Sequence, residues 1–146
     1  MNRIIERFPT VPIFQGLEAL QIAQLLNHAE DIETIQDQVI VEQGRPGNGL
    51  YIISAGIFEV VRETEEKSRS LAQLEELTSF GEMSLFDDTV CSASVICRKP
   101  GRLKNFSKEA FHSLLDSGDL VAHKVTLNIA KLMSRRLARV DDQIVS

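Results

Sequence analysis

The stretch that decides the fold reads Phe80-Gly81-Glu82-Met83-Ser84-Leu85-Phe86, and Ser92-Ala93-Ser94-Val95 follows it closely. A Gly-Glu pair at the opening of a short helix leaves backbone N–H groups without helical partners beside a carboxylate. The N–H groups can hold an anion, and the carboxylate of Glu82 can accept hydrogen bonds from sugar hydroxyls. A Gly-Glu turn between strands is also an ordinary helix start, so the surrounding sequence decides between the two interpretations.

Short β-branched or apolar runs separated by turn residues surround this stretch. They cover residues 32–35, 39–41, 50–54, 57–64, 70–77, 93–97 and 103–106. Strands at such short intervals predict an all-β sandwich or barrel. Between them, the glycine-rich segment 44–49 predicts a tight loop with positive φ angles. Ala55-Gly56 predicts a hairpin, Lys99-Pro100-Gly101 predicts a turn, and residues 63–69 predict an exposed hairpin tip.

Both ends of the chain show helical spacing instead. Apolar residues predict a short amphipathic helix over 17–28. Ser107 is a suitable N-cap for a second helix over 107–117, which Ser117-Gly118 would end. A longer helix follows from about residue 119 towards 144. We therefore expect a mainly β fold with flanking helices, divided into a β-roll part, residues 1–117, and a C-terminal helix, residues 118–146.

An apolar stripe three or four residues apart runs along the long helix. It contains Val121, Val125, Ile129, Leu132, Met133, Leu137, Val140 and Ile144. We expect this stripe to form a parallel homodimer seam through residues 119–144, in preference to packing entirely within the chain. The basic residues of this helix are spread along it, which indicates a solvated outer face rather than a nucleic-acid surface.

Composition excludes several classes of protein. The 146 residues are 43% hydrophobic and 25% charged, which is typical of a globular core, and the net charge of −5 disfavours sequence-independent nucleic-acid binding. The N-terminus lacks a signal peptide and no apolar run reaches the roughly 18 to 20 residues of a membrane span, so we expect a cytoplasmic protein. Two cysteines and three scattered histidines indicate neither a metal site nor an enzyme.

Together these features resemble the cyclic-nucleotide-binding domain of catabolite activator transcription factors, protein kinase A regulatory subunits and cyclic-nucleotide-gated channels. The segment 80–85 looks like the start of that family's phosphate-binding cassette, and Ala93-Ser94-Val95 looks like its closing strand. Gly44, Gly47, Tyr51, Ile53 and Gly56 resemble its glycine-punctuated strand pair. The resemblance implies a jelly-roll-like β-roll of about eight antiparallel strands with the ligand enclosed, a short N-terminal helix and a long C-terminal one.

The ligand-binding residues that the resemblance implies are Gly81, Glu82, Met83, Ser84, Cys91, Ser92 and Ala93. Glu82 would hold the ribose of a cyclic nucleotide, cyclic AMP or cyclic GMP. The family's phosphate-binding arginine is replaced here by Cys91, a neutral and weak donor. Losing one charge-assisted hydrogen bond, about 1.5–3 kcal/mol, weakens phosphate binding by about one or two orders of magnitude.

Other residues bear on the same site. Arg98, Arg102, Arg136 and Arg139 are alternative cations for the phosphate, while Asp87 and Asp88 add negative charge to the cassette and are expected to be solvated. The family positions that touch the base match Val140 and Asp141, which carry no suitable hydroxyl. Cys91 as a redox site is a less favoured interpretation.

Three functions stay open. The first is a regulatory domain that senses a cyclic nucleotide and signals to a protein partner through its C-terminal helices. The second is a ligand-free dimerisation or docking module that has lost nucleotide binding at Cys91. The third is the sensory half of a DNA-binding regulator truncated at Ser146, with a different effector as its ligand. For this chain we expect no direct contact with nucleic acid or with a membrane.

Overall fold

The computed structural model describes residues 6–145, with side chains as far as Arg139. Two short 3-10 turns, Phe8–Thr10 and Pro12–Phe14, precede helix α1, Ala19–Leu26. The six strands are β1 (Glu30–Glu33), β2 (Val39–Val41), β3 (Leu50–Glu63), β4 (Ser68–Leu74), β5 (Ser79–Phe80) and β6 (Ser94–Phe106). A 3-10 turn, Glu82–Leu85, lies between β5 and β6, and helices α2 (Lys108–Asp116) and α3 (Leu120–Val145) follow.

The strands form one antiparallel sheet in the order β1-β6-β3-β4, with β2 also pairing with β6 and β5 with β3. The two long strands β3 and β6 pair from Leu50 opposite Phe106 to Val61 opposite Ser94. The predicted mainly β fold with flanking helices is confirmed. Residues 6–145 contain six strands instead of about eight. β3 and β6 each join two of the seven predicted runs, which leaves five strands, and the unpredicted β5 is the sixth.

The predicted turns at Ala55-Gly56 and Lys99-Pro100-Gly101 are wrong, since both segments lie inside long strands. The register shifts on both sides of Ala55, which pairs with Arg102. Gly56 has a φ of 98°, and a Cβ there would lie 2.7 Å from the carbonyl oxygen of Lys99. The two glycine segments are facing bulges that bend β3 and β6 together.

The alternation of β3 supplies two separate cores. Leu50 and Ile52 pack with the N-terminal turns and the three helices, whereas Tyr51 and Ile53 face the interior of the roll. Phe58, Phe80, Val95 and Leu103 join the second core, and the rings of Tyr51 and Phe80 stack with centroids 5.0 Å apart. The second core therefore forms the floor beneath the cassette.

Helix boundaries follow the sequence signals. Ser107 caps α2 by accepting a hydrogen bond from the amide of Ala110, and Gly118, with a φ of 81°, separates α2 from α3. These assignments confirm the predicted helices over 107–117 and from 119 onwards. No helix among residues 6–145 has the length and apolar character needed to span a bilayer.

The apolar stripe of α3 is largely covered within the chain, so the prediction that this stripe forms the dimer seam is wrong for its part up to Met133. Val125 and Ile129 are buried, and Val121, Leu132 and Met133 are half-buried against the N-terminal turns, α1 and α2. The N-terminal turns bury apolar side chains of α3 that the β-roll alone would leave exposed. Leu137 is 63% exposed, and the side chains of Val140 and Ile144 lie outside the described residues. The division at residue 117 stays a prediction.

Candidate functional site

The turn Glu82–Leu85 is set by the glycine before it. Gly81 has a φ of 79°, and a Cβ at this position would lie 2.5 Å from the carbonyl oxygen of Gly49. Both the backbone angle and the close approach therefore require glycine. The amide of Ser84 donates to the carbonyl of Gly81 at 3.0 Å, so this amide is already used within the turn. The sequence analysis expects free N–H groups at this turn to be able to hold an anion, and the Ser84 amide is not one of them.

Glu82 is oriented by a neighbouring hydroxyl. Glu82 is only 6% exposed. Ser79 Oγ donates a hydrogen bond of 2.8 Å to Glu82 Oε1. A buried carboxylate held in one direction is suited to accept hydrogen bonds from ligand hydroxyls. Leu85, at the other end of the turn, is fully buried in the core shared with α2 and α3.

Cys91 lines the same cavity and is held by backbone pairing. Its amide donates to Arg45 and its carbonyl accepts from Gly44, both at 2.8 Å. A Cβ added to Gly47 would meet the Ser84 hydroxyl and would lie 3.4 Å from the Cys91 Sγ. Partial burial raises the pKa of the Cys91 thiol, so the neutral form dominates near neutral pH.

All seven predicted ligand-binding residues line one cavity of about 560 Å³. They are Gly81, Glu82, Met83, Ser84, Cys91, Ser92 and Ala93. The predicted binding set leaves out the inward-facing Val41, Val60 and Val95, and also Gly49, Phe80, Thr89 and Val90, although Phe80 and Val95 belong to the motifs quoted from the sequence. These residues complete the lining with Arg136. The alternation of the strands is the signal from which the three valines were predictable.

Arg136 reaches the cavity from α3, whereas the other candidate cations are held elsewhere. Arg98 pairs with Glu59 at 2.8 Å and with Asp37 at 2.9 Å, and the Glu59 hydrogen bond raises the pKa of the Arg98 guanidinium. Arg102 pairs with Glu33 at 3.0 Å. Arg139 is exposed and is absent from the cavity lining described.

The two acidic residues of the cassette face outwards, as expected. Lys108 Nζ lies 2.6 Å from Asp88 Oδ1, and this hydrogen bond lowers the pKa of the Asp88 carboxyl. Asp87 Oδ1 accepts from the Thr89 amide at 3.0 Å. Neither aspartate lines the cavity. The side chains of Val140 and Asp141 lie outside the described residues.

The cassette is joined to α2 by several contacts. His112 Nε2 donates a hydrogen bond to the carbonyl of Leu85, and the ring of Phe86 meets Phe111 edge to face with centroids 6.3 Å apart. The Asp88–Lys108 pair adds a third contact. These contacts join the segment that carries Glu82 to α2.

Among residues 6–145, no cluster of three or more His, Cys, Asp or Glu side chains is placed to hold a metal ion. Cys97 is fully buried, and its Sγ donates to Thr34 Oγ1 at 3.3 Å, which is a packing role.

The family is identified by comparison with known proteins. The model of the cyclic nucleotide-binding domain matches residues 35–117, more than half of the chain. The cyclic AMP receptor protein of Thermus thermophilus is 32% identical over 131 residues, which cover 89% of this chain and 59% of that protein. The cAMP-dependent protein kinase regulatory subunit of Mucor circinelloides is 32% identical over 117 residues, covering 78% of this chain and 27% of that protein.

The structural comparison agrees. The crystal structure of the Thermus thermophilus catabolite activator protein superposes with a TM-score of 0.79 at 31% identity, covering 91% of this chain and 61% of that one. The chain thus spans less than two thirds of the length of these relatives. It belongs to the cyclic nucleotide-binding domain family, as the resemblance of residues 80–95 implied.

Proposed function

We propose that this protein is a regulatory domain that binds a cyclic nucleotide in the cavity beneath the Glu82–Leu85 turn. The observation that carries the proposal is the convergence of Glu82 and Arg136 on one cavity of about 560 Å³. Glu82 accepts hydrogen bonds from the ribose, and the Arg136 guanidinium binds the phosphate. The three valines and Phe80 supply apolar contacts for the rest of the ligand.

The signal passes from the cavity to the C-terminal helices. Leu85, Phe86 and Asp88 contact α2, and α2 connects to α3 through Gly118. Ligand binding at Glu82 shifts these contacts, and the changed position of α3 is read by a protein partner. This role requires no catalysis, and we place the protein in the cytoplasm.

The first test is a thermal-unfolding titration with cyclic AMP, cyclic GMP and a cyclic dinucleotide. A ligand at a hundred times its Kd adds about 2.7 kcal/mol, a rise of several degrees in Tm for a chain of this size. Glu82→Gln should abolish most of the rise, whereas Glu65→Gln, at an exposed position in the β3–β4 turn, should leave it unchanged.

A ligand-free docking module is the second candidate function, favoured by the neutral Cys91 in the cavity wall. It predicts no thermal shift with any of the three nucleotides in the native protein. A shift that appears with Cys91→Arg would then show an intact cavity that lacks its phosphate-binding charge.

We also propose a homodimer through α3. The exposed positions Leu127, Ala130, Ser134 and Leu137 are spaced three, four and three residues apart, which is the repeat of a two-helix seam. Light scattering over a concentration series should give twice the chain mass of 16.3 kDa. Leu127→Asp with Leu137→Asp should give the monomer mass, and Leu20→Asp, on the exposed face of α1, should remain dimeric. A native protein that stays monomeric throughout would contradict this arrangement.

A further inference from the structure

Part of the cavity wall lies outside the helices and strands. Residues 91–93 line the cavity and lie between the Glu82–Leu85 turn and the first residue of β6, Ser94. Backbone outside regular structure takes its position from the hydrogen bonds that neighbouring segments offer it. The contacts that hold residues 91–93, the 91–93 wall, therefore decide the shape of this side of the cavity.

The glycine-rich loop after β2 supplies the first of these contacts. The amide of Gly44 donates to the Cys91 carbonyl, and the Cys91 amide donates to the Arg45 carbonyl, both at 2.8 Å. In the same loop, Pro46 forms an isolated antiparallel bridge with Val90, the residue before the wall. The wall thus follows the loop, so the residue that anchors the loop also places the wall.

Gln43 anchors this loop through its side-chain amide. Strand β3 pairs with β6 as far as Val61 opposite Ser94, and Glu63 lies beyond this pairing. Gln43 Oε1 accepts from the Glu63 amide at 2.8 Å, and Gln43 Nε2 donates to the Glu63 carbonyl at 2.9 Å. The backbone amide of Gln43 donates to Ser94 Oγ at 2.9 Å. One glutamine therefore joins the loop to the end of β3 and to the start of β6.

Arg62 holds the 91–93 wall directly. Its Nε donates to the Ser92 carbonyl at 3.2 Å. The residue opposite Arg62 on β4 is Arg69, and like charges opposite each other are unfavourable in a sheet. A charged donor makes a stronger hydrogen bond to a carbonyl than a neutral donor does. The charge at position 62 thus disfavours the β3–β4 pairing, while it stabilises the position of the wall.

We infer that Gln43 and Arg62 are positioning residues of the proposed nucleotide site, which hold the 91–93 wall from outside the cavity. Neither is among the described residues that line the cavity of about 560 Å³. Their effect on nucleotide affinity rests on the proposed function, whereas their effect on the wall does not.

The experiment measures the wall and the ligand separately. Gln43→Met and Arg62→Met keep a long side chain and remove its hydrogen bonds. The rate of Cys91 alkylation by iodoacetamide, without nucleotide, reports on the wall. Calorimetric titration with cyclic AMP and cyclic GMP reports on affinity, and urea denaturation shows whether each variant is folded under the conditions used.

Each variant has a matched control. Gln38 is half-buried, as Gln43 is, and its Oε1 accepts from the Ile35 amide at 3.0 Å in the segment between β1 and β2, so Gln38→Met removes a similar bond elsewhere. Arg69→Met removes the same charge as Arg62→Met from the facing position of the hairpin. Arg62→Lys keeps a cationic donor on a side chain of similar length.

Gln43→Met and Arg62→Met should each speed alkylation of Cys91 at least about threefold, because the wall separates from its neighbours more often. Each should weaken nucleotide binding roughly three- to tenfold, as expected for the loss of one or two hydrogen bonds. Gln38→Met and Arg69→Met should change neither quantity, even where they change stability. Arg62→Lys should retain most of the native affinity and the slow alkylation.

Two results would overturn the inference. One is unchanged Cys91 alkylation in both Gln43→Met and Arg62→Met, whether or not the native chain binds a nucleotide. The other is faster alkylation with native affinity, since the wall would then move without any effect on the ligand. If alkylation is faster in both variants but the native chain binds neither nucleotide, the proposed function fails, and the assignment of both residues to the wall stands.

Discussion

Ser79 and Glu82 are joined across the start of the cassette turn by a hydrogen bond of 2.8 Å from Ser79 Oγ to Glu82 Oε1. Ser79 belongs to β5, which pairs with β3 through Ile52 opposite Ser79, so the hydroxyl is positioned by the sheet. The Glu82 carboxylate at the cavity is thus oriented by a strand of two residues that the sequence analysis did not predict.

Ser79→Ala should weaken cyclic nucleotide binding by about fivefold, which corresponds to about 1 kcal/mol for one hydrogen bond. The reason is that Glu82 loses its fixed direction while its charge is retained. Calorimetric titration of the variant checks this, with Ser68→Ala on the exposed strand β4 as the control. An unchanged Kd in Ser79→Ala would show that the turn alone orients Glu82.

Gly81 and Glu82 were predictable from the sequence because their placement depends on the local conformation of the backbone. Gly81 needs a positive φ beside a close backbone approach, and Glu82 follows it directly, so the pair is visible as a short motif. The seven predicted residues accordingly line one cavity. Their role as ligand contacts stays a prediction.

Long-range contacts were not predictable in the same way. Ala55-Gly56 and Lys99-Pro100-Gly101 carry ordinary turn signals, and their true form as facing bulges depends on the pairing of β3 with β6. Arg136 was one of four candidate arginines, since sequence spacing does not reveal which guanidinium reaches a cavity more than forty residues away in the chain. The cover of the α3 stripe likewise comes from turns near the N-terminus.

The facing bulges make a stability prediction. Gly101 lacks a positive φ, yet a Cβ there would collide with the carbonyl oxygen of Ala55 and lie 2.6 Å from the Gly56 Cα. Gly101→Ala should therefore lower the free energy of unfolding by at least about 2 kcal/mol, because backbone atoms must move. Urea denaturation measures the change.

Gly44→Ala is the control that distinguishes a steric clash from backbone strain in the same denaturation experiment. Gly44 has a φ of 84° and no atom within 4 Å of an added Cβ, so Ala there should cost about 1 kcal/mol through backbone strain alone. A Gly101→Ala variant no less stable than Gly44→Ala would mean that the facing bulges relax easily.

The Asp88–Lys108 pair makes a pH prediction. The Lys108 hydrogen bond lowers the pKa of Asp88 in the folded state, so the pair stabilises the fold above the unfolded pKa of about 3.9. This stabilisation is lost as the pH falls through the lower, folded value. In Lys108→Met the Asp88 pKa should rise towards its ordinary value, as measured by NMR titration of the carboxyl carbon.

Because both groups are solvent-accessible, the effect of this pair on overall stability should be small. Lys108→Met and the native chain should converge in stability at acid pH and differ slightly at neutral pH. If the Asp88 pKa does not change in Lys108→Met, a group other than Lys108 lowers it.

The rate at which the Cys91 thiol is alkylated reports on the cavity both with and without a bound nucleotide. Burial raises its pKa, so alkylation by iodoacetamide should be slow near neutral pH and should accelerate at a higher pH than for a free cysteine, whose pKa is about 8.5. Peptide mass spectrometry distinguishes this label from any on Cys97, which is fully buried and should stay unmodified. A saturating cyclic nucleotide should slow labelling of Cys91, because the Cys91 side chain lines the proposed binding cavity. Rapid labelling at neutral pH, insensitive to nucleotide, would place the thiol outside the ligand's reach and would contradict the proposed binding mode.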